Sequence, residues 1–584
     1  MHRALYHVDV LSQIFLTYYK EGWEMMTSAF ETNYMRGLHP LAAVCKTWRG
    51  VAYHHFLAKC MSIEVFQPPD HGRRGEYFKS AFEQEACTTM GPFGYVCTPL
   101  TRSIYHSNAY LIPHTGNKTT TFYLYLGNNV TAMDIVHCLN CIEFAEYEWP
   151  LVTALHIVTD TMYIPGPTNE DDIRRPLYHS LNAIAPVIEW LFGAAPRIDS
   201  VMLGSRSKFV YPGQLPLQGA IFDNIARLKK LEISSQFSSF TIPPVLPPLT
   251  ALSICPVHFT HHFLLAKLSA EHLQKLSLHH IQPRHFFKTI GISGPQSPTV
   301  FPELRSLGLY FSVPRISQDA SSNWYNSHEH NLVRFPKLRL VTIYNYYYNI
   351  SGIFRALLQS PVENLRISTQ PSLFVSAEIH RFMSIKKLWA NFEMRQDQQQ
   401  LLAGNYFDRL FSSQTPLTDM SICLPSSDWH TSMTSIESKL LYTLDLDLKL
   451  GYAQAMSIMS GLPRLVHFRC VIDTMSVDNN ASMRDILCQS HPICSTTVEH
   501  MVLVFHPQAE SVDISGRYAV LAHMLSLIAR VPSLLHLRSS YSAATFRMHV
   551  RRALAINEFA TIGRHLKNIK YTARANSSSN VVFS

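Results

Sequence analysis

The chain has 584 residues, 16% of them charged and 47% hydrophobic, with 33 prolines, 23 glycines and a formal net charge of +8. A single core stops growing at about 250–300 residues, so this length calls for several domains or one elongated array of repeats. The composition excludes a disordered or collagen-like chain, and a charge excess spread this thinly, with no basic run, does not make a nucleic-acid surface.

At the N-terminus, Arg3, His7 and Asp9 break any apolar run, so no signal peptide is expected. The most apolar later stretch, Ala183–Ala195, contains Pro186 and Glu189 and is too short to span a bilayer. A soluble protein without a membrane partner, cytoplasmic and/or nuclear, is expected. The 11 cysteines are scattered from Cys45 to Cys494 and are too sparse for a disulfide scaffold. Cys138 and Cys141, with His137 beside them, have metal-like spacing but no second pair. They read as thiols on the apolar helix Ile135–Ile142, and no metal or other cofactor is expected.

In chain order, Val10, Leu11, Ile14 and Phe15 fall on one helical stripe, with Asp9 near the helix start where negative charge is favoured. After an insertion-like stretch, Lys20–Gly37, a second stripe comprises Leu41, Val44, Cys45, Trp48 and Ala52. A short extended segment, Met61–Val65, ends this unit, and Gln67–Glu76, rich in Pro, Gly and charge, reads as a linker.

These residues resemble the F-box, whose pattern pairs a Leu-x-x-Ile-Phe helix with a Val-Cys-x-x-Trp-Arg helix. Leu11, Ile14 and Phe15 match the first helix, and Val44, Cys45, Trp48 and Arg49 match the second. Tyr6 and His7 stand where the family has Leu-Pro. The resemblance covers residues 1–66. It implies docking on the Skp-type adaptor of a cullin ubiquitin ligase, with Leu11, Ile14, Phe15, Val44, Cys45 and Trp48 as the contact residues.

Beyond residue 150 the pattern Leu-x-x-Leu-x-Leu, with conservative variants, recurs in about fifteen copies from Val152, Leu155 and Ile157 to Leu566, Ile569 and Tyr571. Separations cluster at roughly 21–24 and 30–36 residues, the shorter class within the leucine-rich-repeat range. Many copies follow a proline, as at Pro196, Pro302, Pro336, Pro463 and Pro532. Proline lacks an N–H and disfavours helix in the residue before it, so it ends one element and lets an extended one begin. Helix-like apolar stretches precede several of them: Ala185–Phe192, Ile353–Leu358 and Val520–Ile528. The expected unit is helix, proline turn, short strand. One such unit cannot cover its own apolar face, but stacked units bury a continuous core.

This region resembles leucine-rich-repeat proteins, and with the N-terminal helices the layout resembles F-box/leucine-rich-repeat proteins of the divergent kind abundant in fungi. The Asn or Cys that the family places past the strand leucines is mostly absent, so the turns need other backbone partners and an irregular solenoid is expected. The expected fold class is α/β: a helical F-box-like domain at 1–66, a linker at 67–80, a capping region at 81–150, a repeat solenoid at 151–573 and a disordered tail at 574–584. A two-layer α/β domain with a parallel sheet is the alternative.

Catalytic patterns are missing: there is no G-x-S-x-G, P-loop or G-x-G-x-x-G, and His328 and His330 lack the H-E-x-x-H spacing. Tyr344–Tyr348 reads as wall packing. No enzyme is expected. The residues before and between the last two apolar positions of each copy should face the open side of the sheet. Early copies give a mixed set, Lys230 and Glu232, Ala251 and Ser253, Lys275 and Ser277, Ser306 and Gly308. Late copies give His467 and Arg469, His500 and Val502, His536 and Arg538, Asn568 and Lys570. The late face is expected to be basic and to hold a protein target through an acidic or phosphorylated segment, since guanidinium pairs bidentately with carboxylate and phosphate. The expected role is the substrate-receptor subunit of a ubiquitin ligase. An adaptor-free interaction scaffold is the first rival and a nucleic-acid-binding solenoid the second.

Overall fold

A computed structural model of the chain describes residues 11, 48, 60–65, 94–98, 103–106, 120–126, 149–159, 191–205, 227–233, 248–254, 266, 269–281, 286, 299–311, 333–346, 348, 351–369, 382, 384–392, 416–423, 438–472, 482–488, 492–505, 514–539 and 541–573. The chain forms two compact units, residues 1–281 with 288–290 and residues 282–287 with 291–584. The pair Cys138 and Cys141, the His328–His330 segment and the tail lie outside the described residues.

In the first unit the strands are β1 (Cys60–Val65), β2 (Gly94–Thr98), β3 (Ser103–His106) and β4 (Thr121–Leu126). They continue with β5 (Ala154–Thr159), β6 (Ser200–Ser205), β7 (Lys230–Ile233), β8 (Ala251–Ile254) and β9 (Lys275–Ile281). The spatial order is β3-β2-β1-β4-β5-β6-β7-β8-β9, parallel throughout except for the antiparallel pair β2–β3. Phe122, Leu155, Val201, Leu231, Leu252 and Leu276 stand opposite one another along this sheet, all nearly or fully buried.

The second unit holds a two-residue pair, β10 (Thr299–Val300) with β12 (Val333–Arg334), and a longer parallel run. That run comprises β11 (Ser306–Phe311), β13 (Leu340–Asn345), β14 (Asn364–Thr369), β15 (Lys387–Phe392) and β16 (Asp419–Cys423). It goes on through β17 (Thr443–Leu450), β18 (His467–Ile472), β19 (His500–Phe505), β20 (His536–Ser539) and β21 (Lys570–Ala573). Each of these strands pairs with the next in parallel. One buried row runs from Leu307 through Val341, Leu365, Leu388, Met420, Leu444, Phe468 and Met501 to Leu537.

Each copy of the sequence pattern is therefore one parallel strand, and its leading apolar residue is buried just ahead of it, as Leu228, Leu338 and Leu465 are. The fold is α/β and parallel, with one strand per repeat, consistent with a solenoid. The proline ahead of many copies has a defined role. In Phe301–Leu304, Phe335–Leu338, Leu462–Leu465 and Val531–Leu534 the fourth amide donates to the first carbonyl, at 3.0–3.4 Å. Proline occupies the second position, where its fixed φ favours a β-turn. The apolar residues at both ends of each turn are buried, so one turn reverses the chain and packs two side chains.

In place of an asparagine ladder, main-chain groups bridge successive copies. The Lys229 carbonyl accepts from Thr250 N (2.7 Å) and Ala251 N (3.0 Å), and the Tyr442 carbonyl accepts from Val466 N (2.9 Å) and His467 N (3.1 Å). The same arrangement recurs at Arg339, Glu363, Lys386, Val466 and Glu499. Two amides per turn are satisfied without any side chain, which leaves that side-chain position free to vary. Ser384 and Ser533 add hydroxyl bonds to the carbonyls of Val362 and Val498, each at 2.8 Å.

The helices described along their whole length are α1 (Ser351–Leu357), α2 (Tyr452–Ser460), α3 (Met483–Cys488), α4 (Ile514–Ala529), α5 (Ala543–Leu554) and α6 (Asn557–Gly563). α1, α2 and α4 come directly before turns that feed β14, β18 and β20, which is the expected order of helix, turn and strand. Tyr452, buried at the start of α2, donates its hydroxyl to Val520 O of α4 at 2.9 Å and stacks on His523 at 5.0 Å. At the C-terminal end, Ser542 caps α5 by accepting from Thr545 N at 3.1 Å. Phe546 of that helix stacks on Tyr571 of β21 at 4.2 Å, so the last strand is covered rather than left apolar.

Three expectations are corrected or extended. Met61–Val65, assigned to the helical unit, belongs to β1 and pairs residue by residue with β4, so the sheet reaches back ahead of residue 66. Within 81–150, β4 is a repeat strand in full register with β5. The last copy is displaced by two residues: Tyr571, not Ile569, stands opposite Leu537. Lys570 and Thr572 therefore face the open side opposite His536 and Arg538, and Asn568 ends the 3₁₀ turn Arg564–Asn568. Tyr344 stacks on Tyr310 at 4.8 Å across β11 and β13 and Tyr348 is buried, in keeping with wall packing.

Candidate functional site

On the open face of the late strands in the second unit, His467, Arg469, His500, His536, Arg538 and Lys570 line one groove of about 330 Å³, together with Asp445, Val502 and Thr572. All six target-binding residues expected from the sequence converge there. They do so because parallel register places equivalent positions of successive repeats side by side: His467 opposite His500, His500 opposite His536, His536 opposite Lys570. Neighbouring strands are about 4.8 Å apart. The three imidazoles accordingly form a stack, with centroids 4.6 and 4.7 Å apart and planes 16° and 2° from parallel. Tyr442 closes one end edge-on at 5.4 Å from His467.

The next row toward the strand ends contains Asp445, Arg469, Val502, Arg538 and Thr572. Arg469 is not the free cation that the sequence suggested. Its Nη1 donates to Asp445 Oδ1 at 2.6 Å, and its Nη2 lies 3.5 Å from Asp447 Oδ1. The side chains of Arg469 and Asp445 are only 13% and 10% exposed, so this pair is largely sequestered from water. Burial by itself lowers the Arg469 pKa, but the two carboxylates outweigh it and hold the guanidinium above its ordinary value. Arg538, by contrast, has a buried Nε that donates to no acceptor among the described residues. The groove is therefore not uniformly basic. Among the described lining residues, the paired Asp445 and Arg469 occupy the β17–β18 end, Arg538 and Lys570 the β20–β21 end, and the imidazoles lie between them.

Burial, followed by the repulsion of His467 and His536, holds the His500 pKa below its ordinary value despite Glu499 nearby. At neutral pH the middle imidazole of the stack is therefore uncharged. In the first unit, burial pushes His156 on β5 down to about 4. A histidine with a lowered folded pKa contributes stability that is complete above its unfolded value and is lost as the pH falls through it. Urea midpoints should thus decline between about pH 6.5 and 4, with His156 contributing on the order of 1–3 kcal/mol given its residual exposure. His156→Gln should flatten that decline, and an unchanged pH profile would contradict the assignment.

The described thiols near the groove are held in their protonated form. Burial pushes the Cys423 thiol up to about 12 and Cys494 up to about 11, and Cys470 rises as well. Among the described residues, no group of three His, Cys, Asp or Glu is arranged to hold a metal, and no helix is long and apolar enough to cross a membrane.

Of the six expected adaptor-contact residues, Leu11 and Trp48 are described, and both are helical. Leu11 is fully buried and Trp48 is half-buried. Ile14, Phe15, Val44 and Cys45 lie outside the described residues. The feature that sequence reading missed is the Asp445–Arg469–Asp447 cluster. Aligning the copies places Asp445 and Arg469 at one repeat position, and that alignment is the signal that could have found it.

No family model matches the chain, and no curated protein matches it.

Proposed function

We propose that the chain is a substrate-receptor subunit of a cullin-type ubiquitin ligase. In this reading the N-terminal F-box-like helices dock on a Skp-type adaptor, and the groove on the late strands holds a protein target. The observation that carries it is the groove itself: an open site lined from five consecutive strands of a repeated sheet, on a face that the repeats do not need for their own core. The Val44–Arg49 motif supports the adaptor half, with half-buried Trp48 as its proposed anchor. Burying a large aromatic or aliphatic side chain is worth about 1.5–3 kcal/mol, enough for a few anchors to sustain docking. The chain itself would perform no covalent chemistry.

The adaptor-free scaffold is kept as a second reading because Leu11 is fully covered by its own chain, as expected of a helix that caps a repeat array. Titration of the purified chain with a Skp-type adaptor separates the two. The receptor reading expects a complex that Trp48→Ala weakens by about tenfold or more, which corresponds to about 1.4 kcal/mol. Absence of a complex, or one indifferent to Trp48→Ala, supports the scaffold.

A further inference from the structure

We infer that the outer face of the C-terminal helical cap, α5 with the 3₁₀ turn Arg564–Asn568, is a docking surface for the phosphate backbone of a nucleic acid. The inference is independent of the receptor reading, since it uses neither the N-terminal helices nor the groove. Residues 541–573 carry Arg547, Arg551, Arg552, Arg564, Lys567 and Lys570 but a single carboxylate, Glu558. Six cations against one anion account for five of the eight net positive charges of the chain. A charge excess that is thin over the whole length is thus dense at this end.

The fold directs these charges outward. Phe546, His549, Val550 and Ala553 form the buried face of α5, and Arg547, Arg551 and Arg552 are exposed. Arg564 and Lys567 are exposed on the turn, which packs against α5. Lys570 belongs to the groove and is not counted in this face. The carboxylates nearby are already engaged: Glu558 by Arg484 of α3 at 2.9 Å, and Asp485 of the same helix by the Ser482 hydroxyl at 2.6 Å. The five cations of the face therefore form no ion pair among the described residues.

The cap of a repeat array needs a polar outer face, but charges of both signs would supply that. Here Arg547 and Arg551, one helical turn apart, repel each other in the free protein. The helix dipole offsets this for Arg551 and Arg552, which lie in the last turn, but not for Arg547. A bound polyanion relieves the repulsion. The chemistry of the face favours a phosphate backbone over a protein partner. Protein interfaces centre on apolar or aromatic anchors, and the one exposed large apolar side chain of α5 is Met548. Interfaces with nucleic acids are more polar and more positively charged. Arginines predominate in the face, and their planar fork pairs bidentately with phosphate.

The test is fluorescence anisotropy on the full chain with labelled duplex DNA and single-stranded RNA of random sequence, titrated between about 50 and 200 mM salt. Engagement of all five cations predicts a log–log slope of about −4.5 on the duplex, a loss of roughly 500-fold over that range, and about −3.5 on RNA. Whichever probe binds more tightly identifies the natural form. Arg547→Gln with Arg551→Gln and Arg552→Gln should make the duplex slope shallower by about 2.7, and Arg564→Gln with Lys567→Gln by about 1.8. Glutamine is a good helix former and these positions are exposed, so both variants should keep the wild-type urea midpoint. Lys337→Gln removes a cation already paired with Glu303 at 2.6 Å and should leave binding unchanged. Absence of binding at about 50 mM salt, or a slope that neither variant moves, overturns the inference. So does binding to polyglutamate or to phosphatidylserine vesicles as tight as binding to nucleic acid.

Discussion

Arg469→Ala is expected to destabilise the second unit by about 3 kcal/mol, because it leaves Asp445 as a largely buried carboxylate without its partner. Asp445 is 7% exposed and sits between Leu444 and Leu446, both fully buried, so the carboxylate can recover water only by distorting its strand. Arg469→Lys should recover only part of the loss. An ammonium is a point charge, whereas the guanidinium bridges two carboxylates on one strand with a planar fork. Removing Asp445 as well should cost much less than the sum of the single changes, and a double-mutant cycle in urea measures that coupling. Additive losses would mean that the pair contributes nothing as a pair.

A larger effect is expected for Phe335→Ala, about 3–5 kcal/mol. Phe335 is 2% exposed, opens the turn before β13, and stacks on Phe301 at 5.5 Å, while Phe301 opens the equivalent turn before β11. The two rings tie consecutive repeats together at the point where Phe301 N donates to Arg334 O at 2.9 Å. Truncating one leaves a cavity between repeats and removes an inter-repeat contact, and in a repeat array that interface term controls cooperativity. Hydrogen exchange should show amides of β11 and β13 losing protection before those of β19 and β20. Uniform loss across the unit would point to global destabilisation instead. Tyr344→Ala, on the partly exposed outer ring of the Tyr310 stack, serves as the mild control.

The legibility of this chain follows from where its constraints lie. The repeat strands could be read because each needs a buried residue before the turn and two within the strand, and a proline often fixes the turn between them. β4 escaped because the residues directly ahead of it, Lys118, Thr119 and Thr120, include no proline and no apolar lead. The displaced last copy escaped because Ile569, level with Leu535 one residue ahead of its strand, is buried and reads in the sequence as a strand leucine. Five of the six groove residues were legible from repeat position, and Lys570 reached the groove because a two-residue displacement keeps a side chain on the same face. Their electrostatics were not, since Arg469 and the carboxylates that neutralise it are on different strands, 24 and 22 positions apart in sequence, and only pairing register brings them together.

Charge along the chain thus acquires a local meaning. A late cationic pair, Arg538 and Lys570, lies across the stacked imidazoles from the paired Asp445 and Arg469.

Affinity purification of the intact protein from its native cells tests whether the chain links a ligase adaptor at its N-terminus to a target in its groove. A Skp-type adaptor and a cullin are expected to co-purify with the wild type and with Arg538→Glu, and to be lost with Trp48→Ala. Recovery of the intact chain without adaptor or cullin under conditions that preserve such complexes would contradict it.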